Sequence, residues 1–201
     1  MIVKMTKEHI DEVIDIHIDC FKDSFLTSLD RGVLDCMYNN YLSSELGCAY
    51  VYIIPETILG FIVGTVNPSV YYNQLLKKRW LRILGLTLKR VIRNPRILKS
   101  IAQRDFSGFF RPNESEESYR RASLDLIAVK PEYRGRGIAR NLTEAFLYDL
   151  KARGVSEVNL GVAATNVRAK RFYEKMGFEK VRTSVDNYGR ESNIYKLTMS
   201  V

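Results

Sequence analysis

Ile2 to Met5 form a short, mainly apolar run, and apolar residues then recur at helical spacing at Ile10, Val13, Ile14, Ile16 and Phe21. The pattern predicts a short strand and an amphipathic helix capped by Thr6. Residues 26–42 keep the helical spacing. Residues 48–54 and 58–66 are rich in β-branched and aromatic side chains, and Pro55-Glu56-Thr57 between them reads as a hairpin turn that Asn67-Pro68 terminates. A helical segment follows at about 71–104, broken at Asn94-Pro95, and residues 105–118 have loop composition. Strand and helix then alternate at 124–129, 135–153, 157–162 and 166–176, a βαβα unit. Gly154 and Gly177 stand where those two helices should stop, with Phe178 placed to pack back on the second. Residues 181–185 and 194–199 read as a closing hairpin around Asp186-Asn187-Tyr188-Gly189.

With 201 residues, 46% of them hydrophobic, the chain can bury one sizeable core, and its scattered glycines and prolines exclude a low-complexity polymer. We expect one domain over 1–201 carrying a helical insertion at about 71–104. No apolar run approaches the ~20 residues of a membrane span, and the first residues lack an apolar leader, so a cytoplasmic location is expected. Cys20, Cys36 and Cys48 are an odd set without metal-ligand spacing, which points to reduced, buried thiols and to neither a disulfide framework nor a metal site.

The net charge of +8 is local. Residues 57–104 hold ten bases and no acid, and the remainder has 21 bases against 23 acids. Within that segment Trp80, Leu81, Ile83, Leu84, Leu88, Val91 and Ile92 share one helical arc, opposite Lys78, Arg79, Arg82, Lys89, Arg90 and Arg93. Such a helix can pack on its own domain, cover an anionic substrate, lie on an anionic membrane surface or form a homodimer contact. Nucleic acid is the weakest reading, because Trp80 is the only interleaved aromatic of the stacking type.

The densest chemistry runs from Ala128 to Ala139, between a predicted strand and a predicted helix. Glycines at 135 and 137 precede the helix, whose first N–H groups lack internal partners and form an anion site. Arg134, Arg136 and Arg140 crowd the positive end of the dipole, which an anion would compensate. The alternative is a tight turn with solvated arginines. A P-loop is excluded by its missing Gly-Lys-Ser/Thr, and a dinucleotide fingerprint by Arg140 where a third glycine belongs.

Arg134-x-x-Gly137-x-Ala139 resembles the pyrophosphate signature of the GCN5-related N-acetyltransferases (GNAT). So do Leu160-x-Val162, Asn166, Ala169, Phe172-Tyr173-Glu174-Lys175 and Met176-Gly177-Phe178 further on. The resemblance is close from about 123 to 178 and covers nothing of 71–118. It implies an α/β (α+β) fold with a central mixed, mostly antiparallel sheet of six or seven strands flanked by helices, the basic helical insertion lying between strands three and four. It also implies acetyl-CoA as cosubstrate, without a metal. The backbone of Ile127, Ala128 and Val129 would lie beside the pantetheine, and Arg134, Gly135, Arg136, Gly137, Ile138, Ala139 and Arg140 around the pyrophosphate. Asn166 and Phe172 would lie near the pantetheine arm.

Tyr173 falls where the family often places a general acid, its alternative being a helix-face aromatic packed on the sheet. Strand alternation places Leu124, Leu126 and Ala128 on one face and Asp125, Ile127 and Val129 on the other. Burial would raise the pKa of Asp125 toward the range of a general base, and several family members have an acid proposed for that role there. The alternatives are pairing with Arg121 or bonding at a bulge. His9 and His17 read as surface or acceptor-rim residues. The implied reaction is acetyl transfer to a primary amine by direct attack in a ternary complex. The acceptor is expected to be a small-molecule amine, anionic if the basic segment serves it, such as a nucleotide-linked amino sugar. Protein N-termini or lysines, and a non-catalytic acyl-CoA-binding or membrane-associated module, are the alternatives.

Overall fold

The computed structural model describes residues 1–22, 30–75, 119–185 and 191–200, with Thr27, Lys77, Gly85 and Gly189. Most of the basic segment, including its amphipathic arc, and the whole 105–118 loop lie outside the described residues.

Seven strands form one sheet: β1 (Ile2–Lys4), β2 (Gly47–Ile54), β3 (Thr57–Val66), β4 (Arg121–Val129), β5 (Glu157–Ala163), β6 (Glu179–Val185) and β7 (Glu191–Thr198). Their order is β1-β2-β3-β4-β5-β7-β6, and every pairing is antiparallel except β4 with β5. Helices α1 (Ile10–Cys20) and α2 (Arg31–Ser43) cover one face, while α3 (Ile138–Ala152) and α4 (Val167–Lys175) cover the other. Residues 68–75 are also helical. Alternation along β2 sorts the two cores: Cys48 and Tyr50 join Leu142, Phe146 and Leu150 of α3, while Ala49 and Val51 join Val13, Leu34 and Tyr38 of α1 and α2.

Three expectations change in detail. Thr6 caps a 3-10 turn at Lys7–His9 that leads into α1, and His9 Nδ1 accepts from the Thr6 N–H at 3.0 Å. His17 is not a rim residue but fully buried. It lies three and four residues beyond Ile14 and Val13 on the stripe that faces the core, and its Nδ1 meets the Tyr38 hydroxyl at 2.7 Å. Cys36 and Cys48 are buried as expected, but Cys20 is partly exposed.

β4 does not alternate regularly. Gly64 pairs with Leu124 and Val63 with Leu126, so Asp125 is the extra residue of a β-bulge. Leu124 therefore packs in the α3-side core, whereas Leu126 and Ala128 pack on the α1/α2 side.

Candidate active site

β4 and β5 pair only at Arg121–Glu157, Ala122–Val158 and Ser123–Asn159. Beyond Ser123 they diverge, because the bulge turns β4 while β5 stays paired with β7 along its whole length. The β5 side of residues 124–129 is left without a strand partner, and the sheet opens into two arms. Ile127, Ala128 and Val129 lie on the β4 lip of this opening.

The lip runs through a 3-10 turn (Pro131–Tyr133) into the loop before α3. Gly135 and Gly137 have φ of 80° and 78°, a conformation costly for residues with a Cβ. The turn they allow has a consequence for hydrogen bonding. Arg134 N–H donates to Pro131 C=O at 3.3 Å, and Asn141 N–H donates to Gly137 C=O at 3.0 Å. Between them, the N–H groups of residues 135–140 reach no acceptor among the described residues. Six consecutive donors, three of them the first turn of α3, thus form an anion cradle at the positive end of a 15-residue helix.

The side chains of this loop are arranged around that cradle. Arg134 folds back, its Nε donating to Val129 C=O at 3.0 Å and its guanidinium lying 3.5 Å from Cys20 Sγ. Arg136 stacks over the Tyr133 ring at 5.2 Å, and Arg140 pairs with Glu144 at 3.2 Å. Ile138 is buried against the sheet and anchors the helix end, with Ala139 half-buried beside it.

Across the opening, Asn166 Oδ1 accepts from Ala169 N–H at 3.0 Å and caps α4. Tyr173, on the same helix, is 6% exposed and touches the rings of Phe172 and Phe178 edge-on, at 5.2 and 5.6 Å. The helix ends on this residue: Phe178 N–H donates to Tyr173 C=O at 3.0 Å and Gly177 N–H to Glu174 C=O at 3.1 Å. Burial pushes the Tyr173 phenol above its ordinary pKa, so it stays protonated through the neutral range. Its hydroxyl has no hydrogen-bond partner among the described residues.

Asp125 lies on the other face of the sheet. Arg121 does not pair with it and faces Glu157 instead, at 3.8 Å. Tyr41 of α2 donates its hydroxyl to Asp125 Oδ2 at 2.9 Å, while Ser123, Thr65 and Tyr72 present further hydroxyls. The residue retains partial solvent contact, although protein surrounds its carboxyl group. Burial raises its pKa to about 6 against the lowering effect of those hydroxyls. Tyr41 stacks on Tyr71 at 5.3 Å, and Tyr71 meets Tyr72 edge-on at 5.2 Å.

The phosphate-loop residues are therefore brought together, and Asp125 is brought to Tyr41. No contact joins Asp125 to Tyr173: they approach from opposite faces of the sheet, whose layers meet at the β4–β5 opening. Reading the sequence missed Tyr41, Tyr71 and Tyr72. Tyr41 sits three residues after Tyr38 at ordinary core spacing, and nothing local links it to a residue 84 positions later. Among the described residues no group of His, Cys, Asp and Glu could hold a metal ion, and no helix is long and apolar enough to cross a membrane.

Comparison with known proteins was made for sequence and for structure. The model of the acetyltransferase (GNAT) family matches residues 10–178. The chain is 43% identical over 58 residues to N-alpha-acetyltransferase 30 of Schizosaccharomyces pombe, a match covering 29% of this chain and 39% of that one. It is 45% identical over 65 residues to mycothiol acetyltransferase of Gordonia bronchialis, covering 32% and 21%. It is 38% identical over 77 residues to the ribosomal protein bS18-alanine N-acetyltransferase of Escherichia coli, covering 36% and 52%. The matches thus span between about a fifth and a half of these relatives' lengths. An N-acetyltransferase from Staphylococcus aureus shares the fold with a TM-score of 0.66 at 15% identity, over 98% of this chain and 97% of the other. The PaiA N-acetyltransferase of Thermoplasma acidophilum, solved in complex with coenzyme A, does so with a TM-score of 0.61 at 15% identity, over 99% and 98%.

Proposed function

Because the chain belongs to the GNAT acetyltransferase family, whose members use acetyl-CoA as cosubstrate, we propose that it transfers an acetyl group from acetyl-CoA to a primary amine. The observation that carries this reading is the run of six N–H groups at 135–140 without an acceptor among the described residues, set where β4 and β5 part. A pyrophosphate fits that cradle, and the pantetheine arm can then use the unpaired edge of Ile127, Ala128 and Val129 as an added strand.

The acceptor enters as an ammonium ion and must lose a proton before it can attack. Asp125 takes that proton, directly or through a water. The neutral nitrogen attacks the thioester carbonyl carbon, and backbone N–H groups at the β4 lip polarise its oxygen. As the tetrahedral intermediate collapses, the carbon–sulfur bond breaks and Tyr173 protonates the departing thiolate. The second amine proton returns through solvent to the Tyr173 phenolate, and Asp125 releases the first to bulk water. The products are the acetylated amine, CoA thiol and one proton.

Two acceptor classes have support. The basic composition of 57–104 favours a small amine carrying anionic groups, such as a nucleotide-linked amino sugar. The names of two relatives, an N-alpha-acetyltransferase and a ribosomal protein alanine N-acetyltransferase, favour a protein α-amine. Release of CoA thiol from acetyl-CoA, measured with phosphorylated amines, small cationic amines and peptides with free N-termini, separates these classes. A rate above background in one pool identifies the class. Binding of acetyl-CoA without release in any pool supports a non-catalytic module. Tyr173→Phe should lower turnover about 10²-fold with acetyl-CoA affinity nearly unchanged. Equal losses of turnover and affinity would remove the acid role.

A further inference from the structure

Asp125 is enclosed at the β4 bulge and forms no ion pair among the described residues. Its surroundings are hydroxyls from four parts of the chain: Tyr41 from α2, Tyr72 from the 68–75 helix, Thr65 from β3 and Ser123 from β4 itself. Tyr71 stands behind Tyr41 in a stacked pair, and across the sheet the Asp125 charge adds to the rise that burial imposes on the Cys48 thiol. A carboxylate without a cation is poorly stabilised in such a place unless donors supply the missing solvation.

We propose that Tyr41 is a positioning residue for the proton transfer, with Tyr72 as its second hydroxyl. Delivered from two separate helices, these phenols hold the Asp125 carboxylate ionised and fixed in orientation. This rests on Asp125 being the base. The Tyr41 O–H donates to Oδ2 at 2.9 Å, which pins the carboxylate from the α2 side. The Tyr41–Tyr71 stack locks the phenol in place, so the donor is already oriented when the acceptor arrives. Tyr72 is half-buried where Tyr41 is buried.

Hydrogen bonds donated to a carboxylate favour its charged form. Removing a phenolic O–H while keeping the ring must therefore strengthen proton binding at Asp125. The direct experiment is a carbon-13 NMR titration of protein labelled at the aspartate carboxyl carbons, with the Asp125 signal assigned by its absence from Asp125→Asn. Tyr41→Phe should move the Asp125 midpoint to higher pH by at least ~0.5 unit, about threefold in proton affinity. Tyr72→Phe should move it the same way. The acidic limb of kcat/KM, measured with the best acceptor of the thiol-release assay, should shift with the NMR midpoint and activity should recover above it.

A midpoint unmoved in both variants, or a loss of activity equal at every pH, overturns the positioning role. Asp125→Asn distinguishes the two levels of inference. If it abolishes the acidic limb while Tyr41→Phe leaves the midpoint unmoved, only the positioning role falls. If it leaves both rate and limb intact, the base role falls and the proposal with it. Unchanged acetyl-CoA affinity shows that each variant is folded.

Discussion

Enclosure acts with opposite chemical effect on the two candidate residues of the reaction. It keeps the Tyr173 phenol protonated throughout the neutral range, so that the residue can only offer a proton there, never take one. It makes Asp125 an acid that binds a proton more tightly when folded than when unfolded, with a pKa of about 6 against 3.8. The folded state therefore holds more protons from this group between those two values, and its stability falls as pH rises through that window. Asp125→Asn should remove that cost. Thermal melts should show the variant more stable than the parent above pH 6, by up to about 3 kcal/mol, and equally stable near pH 3.5. A variant less stable at pH 8 would mean that hydroxyl contacts to the ionised carboxylate outweigh its burial. The enclosed acid was legible in the sequence from its apolar neighbours, and the glycine–arginine loop from its own spacing. The hydroxyls around the acid were not legible, because Tyr41 and Tyr72 come from helices whose side-by-side placement only the folded chain defines. His17 was misread although its spacing from Val13 and Ile14 already placed it on the buried stripe.

The three elements β3, β4 and α3 meet so closely that one glycine controls their separation. A Cβ at Gly64 would stand 2.2 Å from Ser123 O and 2.5 Å from Phe146 Cζ, so α3 could not keep its present distance from the sheet. Gly64 is also the residue at which the register shifts around Asp125. The contact thus joins the helix whose first turn carries the open N–H groups to the bulge that presents Asp125. Gly64→Ala should cost about 2–3 kcal/mol in urea unfolding and move the Asp125 titration as well, since the bulge must adjust. A stable variant with an unchanged titration would show that the contact relaxes without transmitting strain. At this scale the sequence reading came within a few residues of the seven strands and of α1, α3 and α4, because periodicity, turns and helix stops are local signals. The bulge at Asp125 stood there only as an alternative, because two-fold alternation is consistent with either register until the partner strand is known.

Seen whole, the sheet is two arms: β1 to β4 on one side, and β5, β7 and β6 on the other. Three residue pairs near Ser123 join them, and the α3-side core spans both, with Leu142 and Phe146 in the same cluster as Tyr173 and Tyr195. A ligand seated between the arms binds the native chain and has no comparable site on the unfolded one, so it must stabilise the fold. At a hundredfold excess over its dissociation constant the gain is about 2.7 kcal/mol, which for a chain of this size is a Tm rise of roughly 5–10 °C. The architecture also assigns where that energy originates. If the 135–140 cradle is the main anchor, CoA and acetyl-CoA should raise Tm alike, while pantetheine, which lacks the pyrophosphate, should raise it little at the same concentration. Gly137→Ala, which puts a Cβ at φ 78° beside the open N–H groups, should abolish most of the rise for acetyl-CoA while leaving the unliganded Tm within a few degrees. Added salt should weaken the effect, because the anchor is electrostatic. A shift as large with pantetheine as with CoA would move the anchor from the helix end to the β4 lip, and the loop arginines would then be solvated charges rather than part of a binding site.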